Sequence, residues 1–149
     1  MSERILGKAD LDAAVLGGLL LSSGGSGMSS AARHRRLGEE ALALGAVRLV
    51  SLDDFADDDQ LVVATAVGAP GTSGARTQPA DSVAAAHAIE VACGRKLSAA
   101  MVAHVPGLYA WTIAAGLGIA LADAGTNGRA HPTERMGGMG LASNPDATV

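Results

Sequence analysis

Leu61-Val62-Val63-Ala64-Thr65-Ala66-Val67 is a continuous, largely β-branched run closed by Gly68-Ala69-Pro70. Two further apolar runs follow it, Ala99 to Val105 and Ile119 to Asp123. Runs of this length, bounded by turn residues, read as buried strands. Between them, Pro79 at or near the N1 position opens a helix that ends before Gly94. Pro106 and Gly107 open another, through Trp111 and Ala115, stopped by Gly116 and Gly118. Strand–helix–strand–helix–strand with such short connections predicts right-handed crossovers and a parallel sheet. The expected fold class is therefore α/β, a mostly parallel sheet with flanking helices in a single domain.

Upstream, Asp10 suits the N-cap or first turn of a helix carrying Leu11, Val15, Leu16 and Leu19 at helical spacing. Ser22-Ser23-Gly24-Gly25-Ser26-Gly27 should end that helix and expose backbone N–H groups. Ser29 or Ser30 then caps a second helix, with Leu37, Ala41 and Leu44 on its buried stripe and Gly45 at C′. Val47 to Leu52 reads as a short strand, and the acids from Asp53 to Asp59 as a solvated turn. That turn lacks the central Gly and final Glu of a calcium loop. Beyond Ala124 the regular pattern fades. The expected organisation is an α/β domain over residues 1–135 and a tail over 136–149 that packs on a partner subunit.

The 149 residues are 48% hydrophobic and only 2% aromatic, so the core must be built from Ala, Val, Leu and Ile. Small side chains suit strands held between helix layers. A net charge of −4 argues against nucleic acid as a partner. The short basic cluster Arg33-His34-Arg35-Arg36 is expected to be a solvated helix face. Cys93 is the single cysteine, which excludes an internal disulfide, and it reads as buried filler at a helix end. Mixed charges from Met1 to Asp10 do not fit a signal peptide, and the apolar stretch from Leu11 to Leu21 is too short to span a bilayer. A cytoplasmic protein without membrane contact is the resulting expectation.

In an open parallel sheet, ligands bind beyond the carboxyl ends of the strands. Gly68 to Gln78, His104 to Tyr109 and Asp123 to Glu134 all fall there, which predicts one shared pocket. The last segment holds Asp123, Thr126, Asn127, Arg129, His131 and Glu134: an acid to orient a base, a guanidinium fork for a carboxylate or imide oxygen, and a histidine for proton transfer. A structured loop in which Arg129 pairs with Asp123 or Glu134 is the competing reading. His104 stands alone at the end of an apolar strand, as a catalyst or as a satisfied core residue. His104, His131 and Asp123 lack any zinc spacing signature, so no metal is expected. The Gly24–Gly27 loop follows a helix, not a strand, and lacks a P-loop ending, so no dinucleotide or other cofactor is expected either.

These segments also carry a family resemblance. It rests on Ser22-Ser23-Gly24-Gly25-Ser26-Gly27, Val47-Arg48-Leu49-Val50-Ser51-Leu52-Asp53, Val67-Gly68-Ala69-Pro70, Val105-Pro106-Gly107-Leu108 and the block Asp123-Ala124-Gly125-Thr126-Asn127-Gly128-Arg129-Ala130-His131-Pro132. Together they resemble the amino-terminal domain of the S-methyl thiohydantoin desulfurase-like family, whose members stand beside hydantoinase and oxoprolinase relatives that open five-membered cyclic amides. The chain departs from the family pattern twice. His104 stands where the family has the Glu of a Glu-Ile-Gly-Gly-Leu-Asn block, with Tyr109 in the Asn place. Gly125 replaces the second Asp of the Asp-Ala-Asp-Gly-Met-Gly-Arg block. Proton transfer by His104 in a different reaction and loss of the original activity are both open at this point. Family members usually carry a second domain, and this chain stops about where it would begin.

The resemblance and the residues together point to a small enzyme acting on a cyclic amide, imide or thiohydantoin-like compound, by ring hydrolysis or ring closure. In this reading His104, Asp123 and His131 are catalytic. Ser23, Gly24, Gly25, Ser26, Gly27, Gly68, Tyr109, Thr126, Asn127, Arg129 and Glu134 bind the substrate. The alternative is a non-catalytic binding subunit that completes a partner's active site. Either way the expected partners are a small-molecule substrate and a second copy of the chain, or a separately encoded second subunit.

Overall fold

A computed structural model of the chain describes residues 3–22, 26–66, 78–126, 140 and 143–144, with the backbone alone for 26–30. Its sheet has five strands, β1 (Arg4–Leu6), β2 (Val47–Ser51), β3 (Leu61–Ala64), β4 (Ala99–Val102) and β5 (Ala120–Gly125), in the order β1-β2-β5-β4-β3. The last four are parallel, as expected, and β1 adds an antiparallel edge. The helices are α1 (Lys8–Leu21), α2 (Ser26–Leu44), α3 (Pro79–Cys93) and α4 (Leu108–Leu117), with a 3₁₀ turn at Leu52–Asp54.

α4 is the central helix. Eight of its ten residues are buried, from Leu108 to Ala115, which is why its sequence shows no polar stripe. It lies across β2, β3, β4 and β5 and packs against α2 and α3, while α1 stacks on α2. Leu11, Leu37, Ala86, Trp111 and Ile113 from these helices meet Val47, Val62, Ala100 and Leu121 from the strands. Alternate strand residues face the other way. Ala99, Met101, Ala120 and Ala122 form a second apolar cluster with Val50, Phe55, Leu61 and Val63. Among the described residues no helix contributes to that second cluster, so cover by helices on both faces, expected from the small-residue strands, is seen on one face only.

Local chemistry explains the boundaries. Asp10 is a first-turn acid rather than the cap itself: Gly7 is the N-cap of α1, and its N–H donates to the Asp10 carboxylate at 2.8 Å. α3 repeats the device, with the Gln78 N–H donating to Asp81 at 2.8 Å and Pro79 in the first turn. Gly94 and Gly118 close α3 and α4 in the left-handed conformation. α2 begins at Ser26, not at Ser29 or Ser30, so Ser26 and Gly27 are helix residues. Leu16 and Leu44, expected on buried stripes, are 64% and 52% exposed. Cys93, expected to be core filler, is exposed as well, because only Ala86 and Glu90 of α3 are buried and its last turn leaves the core. No helix among the described residues is long and apolar enough to cross a membrane.

Candidate functional site at the carboxyl edge of the sheet

Main-chain hydrogen bonds carry the strand pairing past the strands and thereby fix the site. The Ala103 N–H donates to the Ala64 carbonyl at 3.3 Å, which extends the β3–β4 ladder by one step. On the other flank, the Thr126 N–H donates to the Val102 carbonyl at 3.1 Å, and the Thr126 hydroxyl to the Ala103 carbonyl at 3.2 Å. The residues that leave β3, β4 and β5 are thus held side by side.

His104 occupies the centre of this edge. Its Nε2 lies 3.1 Å from the hydroxyl of exposed Thr65, just past β3, and its Nδ1 lies 3.4 Å from the Val105 carbonyl. A carbonyl can only accept, so Nδ1 carries the hydrogen in that contact, and in the neutral ring Nε2 accepts from Thr65. The next peptide bond, Val105–Pro106, is cis. Gly107 then caps α4 at φ 70°. A Cβ there would stand 2.8 Å from Cγ2 of Val102, so only glycine fits the turn.

Helix α2 packs on α4, and Arg33 and Arg36 of its basic cluster are exposed, as expected of a solvated face, whereas His34 departs from it. Arg33 donates to the Tyr109 hydroxyl at 3.1 Å. Arg35 pairs with Asp12 on α1, and Arg36 with Glu40 at 3.1 Å. His34 is half-buried, and its Nδ1 is covered without a hydrogen-bond partner. Burial holds the His34 imidazole below its ordinary value of 6.5, and the nearby charges of Arg33 and His104 push it the same way. Two histidines from different elements therefore share one electrostatic neighbourhood. α1 approaches as closely as backbone allows, since a Cβ at Gly18 would stand 2.8 Å from the Pro106 Cα.

Of the residues expected at the site, His104 contacts Thr65, and Tyr109, in the first turn of α4, accepts from Arg33. Thr126 donates to the Ala103 carbonyl next to His104, and Ser26 and Gly27 lie in the first turn of α2. Asp123 is exposed on β5, in register with Ser51, and no described hydrogen bond joins it to His104. Ser23, Gly24, Gly25, Gly68, Asn127, Arg129, His131 and Glu134 lie outside the described residues. Thr65, Arg33 and His34 are the additions. No group of three or more metal-ligating side chains occurs among the described residues.

A hollow lined by His87, Glu90, Val91, Gly94, Arg95 and Lys96 lies where α3 turns back towards β4, at the amino ends of the strands. It is a structural turn. Glu90 accepts from Lys96 at 2.9 Å and from the Leu97 N–H at 3.0 Å, and it meets His87 at 3.0 Å. Those contacts, Lys96 foremost, hold its carboxyl at about 2. With its oxygens engaged in this way, Glu90 has little left to offer a ligand.

A family model described as S-Me-THD-like, N-terminal domain matches residues 9–147. No curated protein and no solved structure gives a significant match.

Proposed function

Because the chain belongs to the S-Me-THD-like N-terminal domain family, we propose that it binds a small cyclic amide, imide or thiohydantoin-like ring at the carboxyl edge of the sheet and opens or closes that ring. The observation that carries this reading is the Thr65–His104 contact at the strand ends, with half-buried His34 close enough to feel the charge of His104 and the neighbouring Arg33 donating to Tyr109. A cyclic amide presents alternating C=O and N–H groups. Arg33 and the Tyr109 hydroxyl suit the carbonyl, while the unpartnered His34 Nδ1 lacks a complementary group that such a ring would supply. His104 is the proton-transfer residue, at the position where the family pattern has an acid. Asp123 near the end of β5, and Arg129 and His131 after it in sequence, remain assigned by position, as a further acid, a binding cation and a second proton carrier.

Turnover by the isolated chain on a panel of hydantoins, thiohydantoins and diketopiperazines tests the reading. His104→Ala should lower turnover by roughly two to four orders of magnitude if His104 is a general acid or base, with the circular dichroism spectrum unchanged. Wild-type chain that turns over none of the panel, or an alanine variant as active as wild type, would reject it.

A further inference from the structure

We propose that Thr65 is a nucleophile, activated by His104, and that ring opening passes through an ester on its hydroxyl. The proposal deepens the cyclic-amide reading and rests on it for the substrate, but the dyad itself stands on geometry alone. An activated hydroxyl requires a base within hydrogen-bonding reach and a third group that fixes the base's tautomer. Thr65 Oγ1 and His104 Nε2 are 3.1 Å apart, and the Val105 carbonyl faces Nδ1 at 3.4 Å. The pair comes from adjacent parallel strands whose pairing extends to Ala64 and Ala103, so the backbone next to each partner is held by the ladder. Thr65 is exposed, which leaves its hydroxyl open to a carbonyl carbon. Asp123 does not take the orienting place; a main-chain carbonyl does, and a carbonyl imposes the tautomer in which Nε2 accepts.

The step balances without any further reagent than water. The Thr65 oxygen adds to the ring carbonyl carbon while its proton passes to His104 Nε2. The ring C–N bond then breaks, its electron pair stays on nitrogen, and nitrogen takes the proton from His104. An ester of Thr65 remains, tethered to the opened ring. Water adds to that ester, giving a proton to His104, and Thr65 leaves with that proton restored to its oxygen. One water is consumed, a carboxylic acid and a freed N–H are formed, and nothing is oxidised or reduced.

Incubation of the whole chain with p-nitrophenyl acetate near neutral pH, followed by peptide mass mapping, tests the dyad independently of any ring substrate. The expected result is acetylation of the peptide carrying Thr65, retained in Thr65→Ser, absent in Thr65→Val and reduced at least tenfold in His104→Gln. Circular dichroism of each variant confirms the fold. Wild-type chain without an acetyl group on Thr65, or labelling undiminished in His104→Gln, overturns the proposal. The two readings fail separately: ring opening by chain that never acylates Thr65 removes the nucleophile and keeps the substrate class, whereas acylation without ring opening does the reverse.

Discussion

At the scale of single residues, His34 makes the fold sensitive to mild acid. Its folded-state value lies below the ordinary 6.5, so the unfolded chain binds its proton more readily than the native one. Stability is complete above about pH 6.5 and falls as pH drops through that value towards the depressed one, the charged groups facing His34 being Arg33 and His104. Urea denaturation at pH 7.5 and pH 5.5 should show the loss, and His34→Gln should reduce the difference between the two. Glu90 acts in a lower window. Held at about 2 against an ordinary 4.5, it contributes stability above 4.5 that disappears as pH falls towards 2. Lys96→Met should accordingly move the acid-unfolding midpoint upward. His104 was legible in the sequence because it is the one ring at the end of an apolar strand. Thr65 was not, since a β-branched residue inside Leu61–Val67 reads as strand. Arg33 and His34 were hidden by their own neighbours: four consecutive basic residues look like a solvated face, and only the packing of α2 on α4 covers His34 and brings exposed Arg33 to the Tyr109 hydroxyl.

At the scale of elements, close backbone approach decides where the helices sit. A Cβ at Gly38 of α2 would overlap Leu11 Cδ1 and stand 3.2 Å from both Leu11 Cδ2 and Leu108 Cδ1. Gly38→Ala should cost about 1–3 kcal/mol by overpacking, read as a lower urea midpoint at unchanged slope; a neutral result would show that α1 and α2 can move apart. Gly107→Ala should do worse, because it adds left-handed strain to overlap with Val102. Strand runs and the helices between them could be read from sequence because their apolar lengths and their Gly and Pro boundaries agree. β1 could not, since Arg4-Ile5-Leu6 is too short for any alternation to register. The start of α2 misleads for a related reason. Glycine and serine favour loops in isolation, yet the segment from Ser26 is helical once α2 has α1 and α4 to pack on.

At the scale of the whole molecule, α1 leaves Leu16, Leu20 and Leu21 at 64%, 79% and 61% exposure, with Leu16 and Leu20 one turn apart. Apolar residues grouped in this way mark association surfaces. We expect light scattering of the purified chain to give more than one copy per particle, and Leu16→Glu with Leu20→Lys to shift it towards monomer. A monodisperse wild-type monomer at micromolar concentration would count against self-association.

The strand order carries one more consequence, and it concerns the growing chain on the ribosome. β2 is made early but finds its parallel neighbour only in β5, the last strand among the described residues, while β3 and β4 lie on the far side of β5. Until residues 120–125 have left the exit tunnel, α1, α2 and the β1–β2 pair cannot be joined to β3 and β4 through the sheet. During synthesis we therefore expect two half-sheets with unpaired edges, joined when β5 pairs with both β2 and β4. Contacts of such sequence separation form slowly and expose apolar edges meanwhile, so a chain truncated before Ala120 should be a substrate for chaperones rather than a smaller folded domain.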